Sequence, residues 1–240
     1  MARVCVSSVV THPGLQLSHN DDSGRADDAL GLYLVSDGVG SCRHAALASR
    51  LAVESAAQAI ARRPSPDVRK TLSWVVREAN RRMQEEGLKS VPKEILAATL
   101  TLLYVPGDEF HVVHVGDSRA YLYRQERLSQ ITRDHSVAYE QYWKGAITKD
   151  DLRSHPNQNV LTRTLGTADF IVPDFTDGGI EGGDRFLLCS DGLTKELADE
   201  QISTILAEES VPAAACGRLL NAAIEAGGHD NITVVVVDVA

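Results

Sequence analysis

The chain has 240 residues, of which 43% are hydrophobic and 24% charged, and these values are ordinary for a soluble globular protein with one large core. A formal net charge of -9 argues against a nucleic-acid-binding protein, whose affinity comes from clustered Lys and Arg, and no apolar run is long enough to span a membrane. The apolar run at 4–10 is too short and interrupted for a signal peptide, and the four widely spaced cysteines are expected to be reduced. We therefore expect a cytoplasmic protein, with one monomeric domain over 1–240.

Hydrophobic periodicity and turn residues predict the elements of the first half of the chain. The two strands nearest the N-terminus are expected to pair with each other, and the three strands after the helices are expected to form an antiparallel meander. In chain order these elements are strands at 4–10 and 30–35, helices at 45–62 and around 72–83, and strands at 98–105, 110–115 and 119–123.

The second half begins with an irregular, aromatic and polar segment, which predicts short helices in a surface flap at about 136–160. The elements predicted after it are a strand at 184–190, helices at 199–208 and 212–226, and a strand at 232–239. The all-valine run within the last strand predicts burial on both faces. Strand runs interleaved with helix pairs favour the α+β class over a doubly wound sheet.

Acidic residues follow several of these strands at their ends. Apolar strands run straight into Ser-Asp-Gly at Asp37 and at Asp191, a third strand ends at Asp117, and Asp230 precedes the last strand. A single Asp-Gly pair is more often just a turn. Converging carboxylates, however, repel by about 4 kcal/mol per pair at roughly 4 Å and an effective dielectric of about 20, so a group of them indicates bound cations.

The ligand types indicate which metal such a site would hold. Carboxylates, a backbone carbonyl and water suit Mg²⁺ or Mn²⁺, whereas zinc usually takes His or Cys. The sequence has no HExxH motif and no Gly-rich nucleotide loop, and the segment from Gly116 to Ala120 lacks the second Gly of a serine-hydrolase elbow. These observations favour a metal-dependent reaction over nucleophilic serine chemistry.

With these residues in view, nearly the whole sequence resembles the metal-dependent protein phosphatases of type 2C. The order of the motifs makes the resemblance specific. The matching motifs are His19-Asn20-Asp21-Asp22, Ser36-Asp37-Gly38-Val39-Gly40, Val115-Gly116-Asp117-Ser118-Arg119-Ala120-Tyr121, Thr132-Arg133-Asp134-His135-Ser136, Leu161-Thr162-Arg163, Leu165-Gly166, Ser190-Asp191-Gly192-Leu193-Thr194 and Asp230-Asn231-Ile232-Thr233.

The resemblance implies a sandwich of two antiparallel sheets flanked by helices, with phosphoserine and phosphothreonine in proteins as substrates, opposing a bacterial kinase. It implies two Mn²⁺ or Mg²⁺ ions with a bridging water as nucleophile, and a weaker third ion beside Asp117. The metal residues it implies are Asp21, Asp37, Gly38, Asp117, Asp191 and Asp230, and the catalytic residues are Asp22, Asp37, Asp191 and Asp230.

The sequence departs from the family pattern around the substrate phosphate. Leu17 stands where relatives have a phosphate-binding Arg, and Val39 stands where some have a general-acid His. Arg43 is a candidate replacement for the missing Arg. These departures leave a non-catalytic, phosphoprotein-binding relative as the alternative, and the intact Asp set favours the enzyme; a metal-dependent nuclease is disfavoured by the acidic charge.

Overall fold

The computed structural model describes residues 4–40, 44–62, 67–89 and 95–240. The strands are β1 (Cys5–His12), β2 (Asp22–Asp27), β3 (Leu32–Asp37), β4 (Leu100–Tyr104), β5 (Glu109–Val115), β6 (Arg119–Arg124), β7 (Arg127–Gln130), β8 (Asp174–Gly179), β9 (Arg185–Cys189) and β10 (Ile232–Val239). The helices are α1 (Ala45–Arg62), α2 (Val68–Lys89), α3 (Val137–Trp143), α4 (Asp191–Glu196), α5 (Asp199–Glu208) and α6 (Pro212–Ala226).

The strands form two five-stranded antiparallel sheets, ordered β1-β10-β9-β6-β7 and β2-β3-β4-β5-β8. The sheets pack face to face, and the rings of Phe110 and Phe186 meet across them with centroids 5.1 Å apart. Helices α1 and α2 cover the outer face of the second sheet, and α4, α5 and α6 cover that of the first. The predicted helix–sheet–sheet–helix sandwich is confirmed.

Each layer is held by its own group of buried side chains. The alanine-rich face of α1 lies against Leu34 and Leu102 of the second sheet, and small side chains let the helix approach closely. Strand β10 lies between β1 and β9 and is buried along almost its whole length, as the valine run predicts. Among the described residues, no helix has the length and apolarity needed to cross a membrane.

The predicted pairing of the first two strands is wrong. Strand β1 pairs with β10 at the other end of the chain, while β3 pairs with β2 and β4 in the other sheet. Strand β2 was not predicted because its sequence, Asp-Ser-Gly-Arg-Ala-Asp, lacks an apolar alternation. It is an edge strand, and its backbone hydrogen bonds to β3 hold it in place.

The predicted three-stranded meander is correct for β4 and β5 and wrong for β6, which crosses to the other sheet and pairs with β9 and β7. The crossing occurs at Gly116, whose φ of 111° is disfavoured for residues with a side chain. A Cβ there would also lie 2.5 Å from a side-chain atom of Thr99. Asp117 therefore leaves the second sheet at a fixed point between the two sheets.

Candidate metal centre

The predicted acidic residues converge at one end of the sandwich. Asp37 ends β3, Asp117 follows β5, and Asp191 begins α4 directly after β9. One carboxylate oxygen from each of these three residues lies within 4.8 Å of the other two. Asp22 joins them, because it is the register partner of Asp37 in the antiparallel pair of β2 and β3.

A threonine fixes the backbone at Asp37. The Asp37 amide donates to Thr99 Oγ1 at 2.8 Å, and the Asp37 carbonyl accepts from the Thr99 amide at 2.8 Å. The Thr99 hydroxyl also lies 2.7 Å from Ser118 Oγ, next to Asp117. This single buried side chain couples two of the acid-bearing segments, and sequence reasoning did not single it out.

The glycines after the acids are needed for close approach of two chain segments. A Cβ on Gly192 would lie 2.0 Å from the Asn231 carbonyl oxygen, and one on Gly38 would lie 2.1 Å from the Ala45 carbonyl oxygen. Each Asp-Gly pair therefore lies where the backbone of another segment leaves no room for a side chain. Packing, more than a turn, accounts for glycine after Asp37 and Asp191.

Asn231 joins the N-terminal loop to the acids. Its Oδ1 accepts from the Asp21 amide at 2.7 Å, and its Nδ2 donates to the carbonyls of Pro13 and His19 at 2.9 and 3.0 Å. The Asp21 carbonyl in turn accepts from the Gly38 amide at 3.0 Å. Asp21 and Gly38, both implied by the resemblance, are thus adjacent, and Asn231 positions Asp21.

Asp22 is buried beside the three clustered acids. Its Oδ2 accepts from Ser190 Oγ at 2.6 Å, while its buried Oδ1 has no hydrogen-bond partner in the described part of the chain. Burial, with a smaller contribution from the charges of Asp191 and Asp230, raises the pKa of Asp22 to about 7 against the opposing effect of the hydrogen bond from Ser190. Without a cation nearby, Asp22 is therefore partly protonated near neutral pH.

The same causes act on the other acids. Burial first, and then repulsion by neighbouring carboxylates, holds the pKa of Asp37 and of Asp117 well above the usual range. Burial also raises the pKa of Asp191, whose Oδ1 is buried without a hydrogen-bond partner among the described residues. Orphaned carboxylate oxygens in an all-oxygen donor set fit a hard divalent cation, so the residues present suit Mg²⁺ or Mn²⁺.

Lys195 is a member of this centre that sequence reasoning missed. Its ammonium lies 2.6 Å from Asp191 Oδ2 and 2.7 Å from Asp230 Oδ2. The available signal was its position four residues after Asp191 at the start of a helix, a spacing that places an acid and a base side by side. The pKa of Lys195 is raised by the charges of both carboxylates, which outweigh the effect of its partial burial.

A cleft of about 620 Å³ opens beside the acids. Segment 136–160 lines one side of it with α3 and the following loop, and α4 and α5 line the other. The base of this segment is tied to the body by hydrogen bonds from the Thr162 amide to the His135 carbonyl at 2.8 Å and from the Val137 amide to the Val160 carbonyl at 2.9 Å. The cleft gives the acids a route to a large external substrate.

The histidines and aromatic residues near the cleft have structural contacts. His135 Nδ1 accepts from the Gly116 amide at 3.1 Å, as expected of a structural hydrogen-bonding residue. His114 Nδ1 lies 2.9 Å from Thr101 Oγ1. The guanidinium of Arg133 stacks on the Trp143 ring, 4.1 Å from its centroid, while Trp143 itself is 53% exposed.

The structure describes one of the two residues considered for phosphate binding. Leu17 is 42% exposed in the loop between β1 and β2. Arg43 lies outside the described residues.

A helix-flanked, two-sheet sandwich with a cluster of carboxylates at one end of its strands fits the class of metal-dependent protein phosphatases. The family model described as Protein phosphatase 2C matches residues 15–221. The chain belongs to this family.

Named relatives and a solved structure agree with this assignment. The serine/threonine protein phosphatase PstP of Mycobacterium tuberculosis is 35% identical over 94% of the chain, and the protein phosphatase PhpP of Streptococcus pneumoniae is 30% identical over 96%. The chain spans 43% of the length of that PstP and 96% of that of PhpP. A PstP catalytic domain in complex with two manganese ions superposes with a TM-score of 0.88, at 32% identity and 99% coverage of both chains.

Proposed function

We propose that this chain hydrolyses phosphoserine and phosphothreonine in proteins with the help of two Mn²⁺ or Mg²⁺ ions. The observation that carries the proposal is the convergence of carboxylate oxygens of Asp37, Asp117 and Asp191 within 4.8 Å. Among the described residues, one buried oxygen of Asp191 and one of the adjacent Asp22 have no hydrogen-bond partner. When bound, such ions would supply positive charge that activates water and stabilises the leaving oxygen. The family and the names of the relatives support the same reaction.

The side chains divide into three roles in this proposal. Asp37 would contact both ions, Asp21 and the Gly38 carbonyl would serve one of them, and Asp191 with Asp230 would serve the other. Asp22 would orient the attacking water, since its Oδ2 is fixed by Ser190 and its Oδ1 is free to accept a hydrogen bond. Asp117 would hold a weaker third ion at the cleft that it lines.

The same proposal covers the organisation and setting of the chain. Residues 1–240 would act as one monomeric catalytic domain, with 136–160 as a flap over the cleft. The substrates would be phosphoproteins made by a bacterial serine/threonine kinase in the cytoplasm. A non-catalytic phosphoprotein-binding module is not supported, because the acid set is complete and the matched relatives are named phosphatases.

The decisive assay is phosphate release from a phosphothreonine peptide with and without added Mn²⁺. We expect turnover only with metal, and we expect Asp37→Asn and Asp191→Asn to abolish turnover and weaken Mn²⁺ binding in calorimetry. Asp117→Asn should impair turnover while two ions still bind. The exposed Glu225→Gln on α6 is the matched control and should change neither quantity. Turnover that survives EDTA would contradict the proposal.

Arg43 is proposed as the phosphate-binding residue that replaces the Arg absent at Leu17. If this is correct, Arg43→Ala raises KM for a small phosphoester with kcat less affected, as expected when uniform binding is lost. If affinity instead comes from protein–protein contacts, Arg43→Ala is silent and Leu17→Arg lowers KM. Unchanged kinetics in both variants would show that neither position faces the phosphate.

A further inference from the structure

The two carboxylates proposed for one of the ions both have hydrogen-bond donors within the chain. Asp230 Oδ1 accepts from the Asn231 amide at 2.8 Å, and Asp230 Oδ2 accepts from the Lys195 ammonium at 2.7 Å. Asp191 gives its Oδ2 to the same ammonium at 2.6 Å and keeps only its orphaned Oδ1. Asp230 therefore has no oxygen free of a protein donor.

We propose that Lys195 is a built-in competitor of the divalent cation at Asp191 and Asp230. Its ammonium neutralises the two carboxylates, and a cation that binds Asp230 through Oδ2 must compete with it. The inference rests on the proposed function, because it takes both acids as metal residues. Its consequence is that this chain needs more free metal for occupancy than the acid set alone would require.

The geometry gives the competition a physical basis. Lys195 follows Asp191 by four residues on α4, and the start of that helix packs closely against the backbone of Asn231 at Gly192. The fold therefore places the ammonium beside both acids. A divalent ion at the same carboxylates would lie close to the ammonium and repel it. Lys195 is 31% exposed and lines the cleft, which gives the displaced side chain space to move into.

An ordinary surface ion pair would behave differently. Such pairs contribute little, and removing the lysine would leave metal binding unchanged. Lys149 supplies that comparison within the same cleft. Its ammonium pairs with Asp199 at a longer distance of 3.6 Å, and its side chain is 71% exposed.

The test is calorimetric titration of Mn²⁺ into the full chain after removal of metal, comparing wild type with Lys195→Met, Lys195→Arg and Lys149→Met. We expect Lys195→Met to bind Mn²⁺ about tenfold more tightly at the site formed by Asp191 and Asp230. The substitution removes both the ion pairs with these acids and the repulsion between the ammonium and the cation. Lys195→Arg should stay close to wild type, since it keeps the charge, and so should Lys149→Met. A thermal melt should show that Lys195→Met is less stable than wild type without metal and equally stable with saturating Mn²⁺.

The outcomes separate the two proposals. Equal Mn²⁺ affinity in wild type and Lys195→Met would overturn the competition and leave the phosphatase proposal intact. An increase in Mn²⁺ affinity in Lys149→Met as large as that in Lys195→Met would do the same. Absence of Mn²⁺ binding by the wild type would overturn the proposed function itself.

A measurement on the unmodified chain covers the case in which Lys195→Met does not fold. Amine-labelling rates, read by mass spectrometry, should rise at Lys195 when saturating Mg²⁺ replaces EDTA and stay constant at Lys149. An unchanged rate at Lys195, in a chain shown by calorimetry to bind Mg²⁺, would overturn the inference.

Discussion

The buried carboxyl of Asp22 gives a sharp prediction about stability without metal. Replacing it by asparagine keeps the shape of the side chain and an oxygen for the hydrogen bond from Ser190, and it removes the ionisable group. Because Asp22 is buried among other acids, its charged form is disfavoured in the folded protein and not in the unfolded chain. The Asp22→Asn variant should therefore be the more stable protein above neutral pH.

The magnitude follows from the pKa of Asp22, which is about 7 in the folded protein against an ordinary 3.8. The folded state therefore keeps a proton that the unfolded chain releases, and between those two values it binds more protons than the unfolded state. Ionisation of Asp22 therefore destabilises the folded state as pH rises from about 4 to about 7, and this destabilisation reaches about 4 kcal/mol above that range. The advantage of Asp22→Asn should grow over the same range and then stay constant.

The assay is urea unfolding in EDTA at several pH values from 4 to 8, with the exposed Glu225→Gln as the control for loss of one carboxylate. We expect the two curves of wild type and Asp22→Asn to converge near pH 4 and to separate towards pH 8, with Glu225→Gln following wild type. Saturating Mn²⁺ should remove or reverse the difference, because the cation then stabilises the charged form. A difference that is the same at both ends of the pH range would refute the argument from burial and repulsion.

Three other predictions concern packing and metal binding. Gly192→Ala should cost about 3 kcal/mol in urea unfolding, because its Cβ would lie 2.0 Å from the Asn231 carbonyl oxygen, whereas Gly217→Ala, in open space on α6, should be neutral or slightly stabilising. Arg119→Lys should cost about 2 kcal/mol in the same assay, since it loses the bidentate contact to Asp134; no loss would show that the pair is replaceable. Mn²⁺ at about 100 times its Kd should raise Tm by roughly 5–10 °C, and a chelator should reverse the shift.

Local patterns were sufficient for the elements with a strong period and clear ends. The helix at 45–62 and the helix at 212–226 occur where the sequence places them, since each combines apolar spacing with a Pro or Gly boundary. Strand partners are a different kind of property. The pairing of β1 with β10 joins opposite ends of the chain, and no feature within 4–10 selects that partner over β3.

Edge strands were the other failure, for a reason that the structure makes plain. The polar β2 is held by backbone hydrogen bonds to β3 and carries Asp22 into register with Asp37. Most side chains of β2 are polar or small, so its sequence has no alternation of apolar and polar residues by which a strand could be predicted. The sequence signal for this strand was therefore its acidic motif, and the hydropathy pattern gave none.

At the metal centre the acids were predictable and their supports were not. Asp37 and Asp191 are visible because an apolar strand leads into each of them. The roles of Thr99, Ser190 and Lys195 depend on which segment the fold brings opposite them. Ser190 belongs to the Ser-Asp-Gly motif and Lys195 has helical spacing from Asp191, whereas Thr99 has no such signal in the sequence.

The raised pKa values of the acids bear on why the cluster exists. Burial and mutual repulsion hold the pKa values of Asp22, Asp37, Asp117 and Asp191 above the usual range, so their charges oppose folding at neutral pH unless a cation is bound. Amide side chains at these positions would make the folded protein more stable in the absence of metal. The buried oxygens of Asp22 and Asp191 that lack a hydrogen-bond partner among the described residues add to the destabilisation. In the absence of metal, packing of the sandwich core must outweigh this destabilisation, and the ion pair of Lys195 with Asp191 offsets part of it. Divalent cations would offset the rest, so metal binding and folding stability should be thermodynamically linked in this chain. A variant that only weakens metal binding should therefore lower stability only while the cation is present.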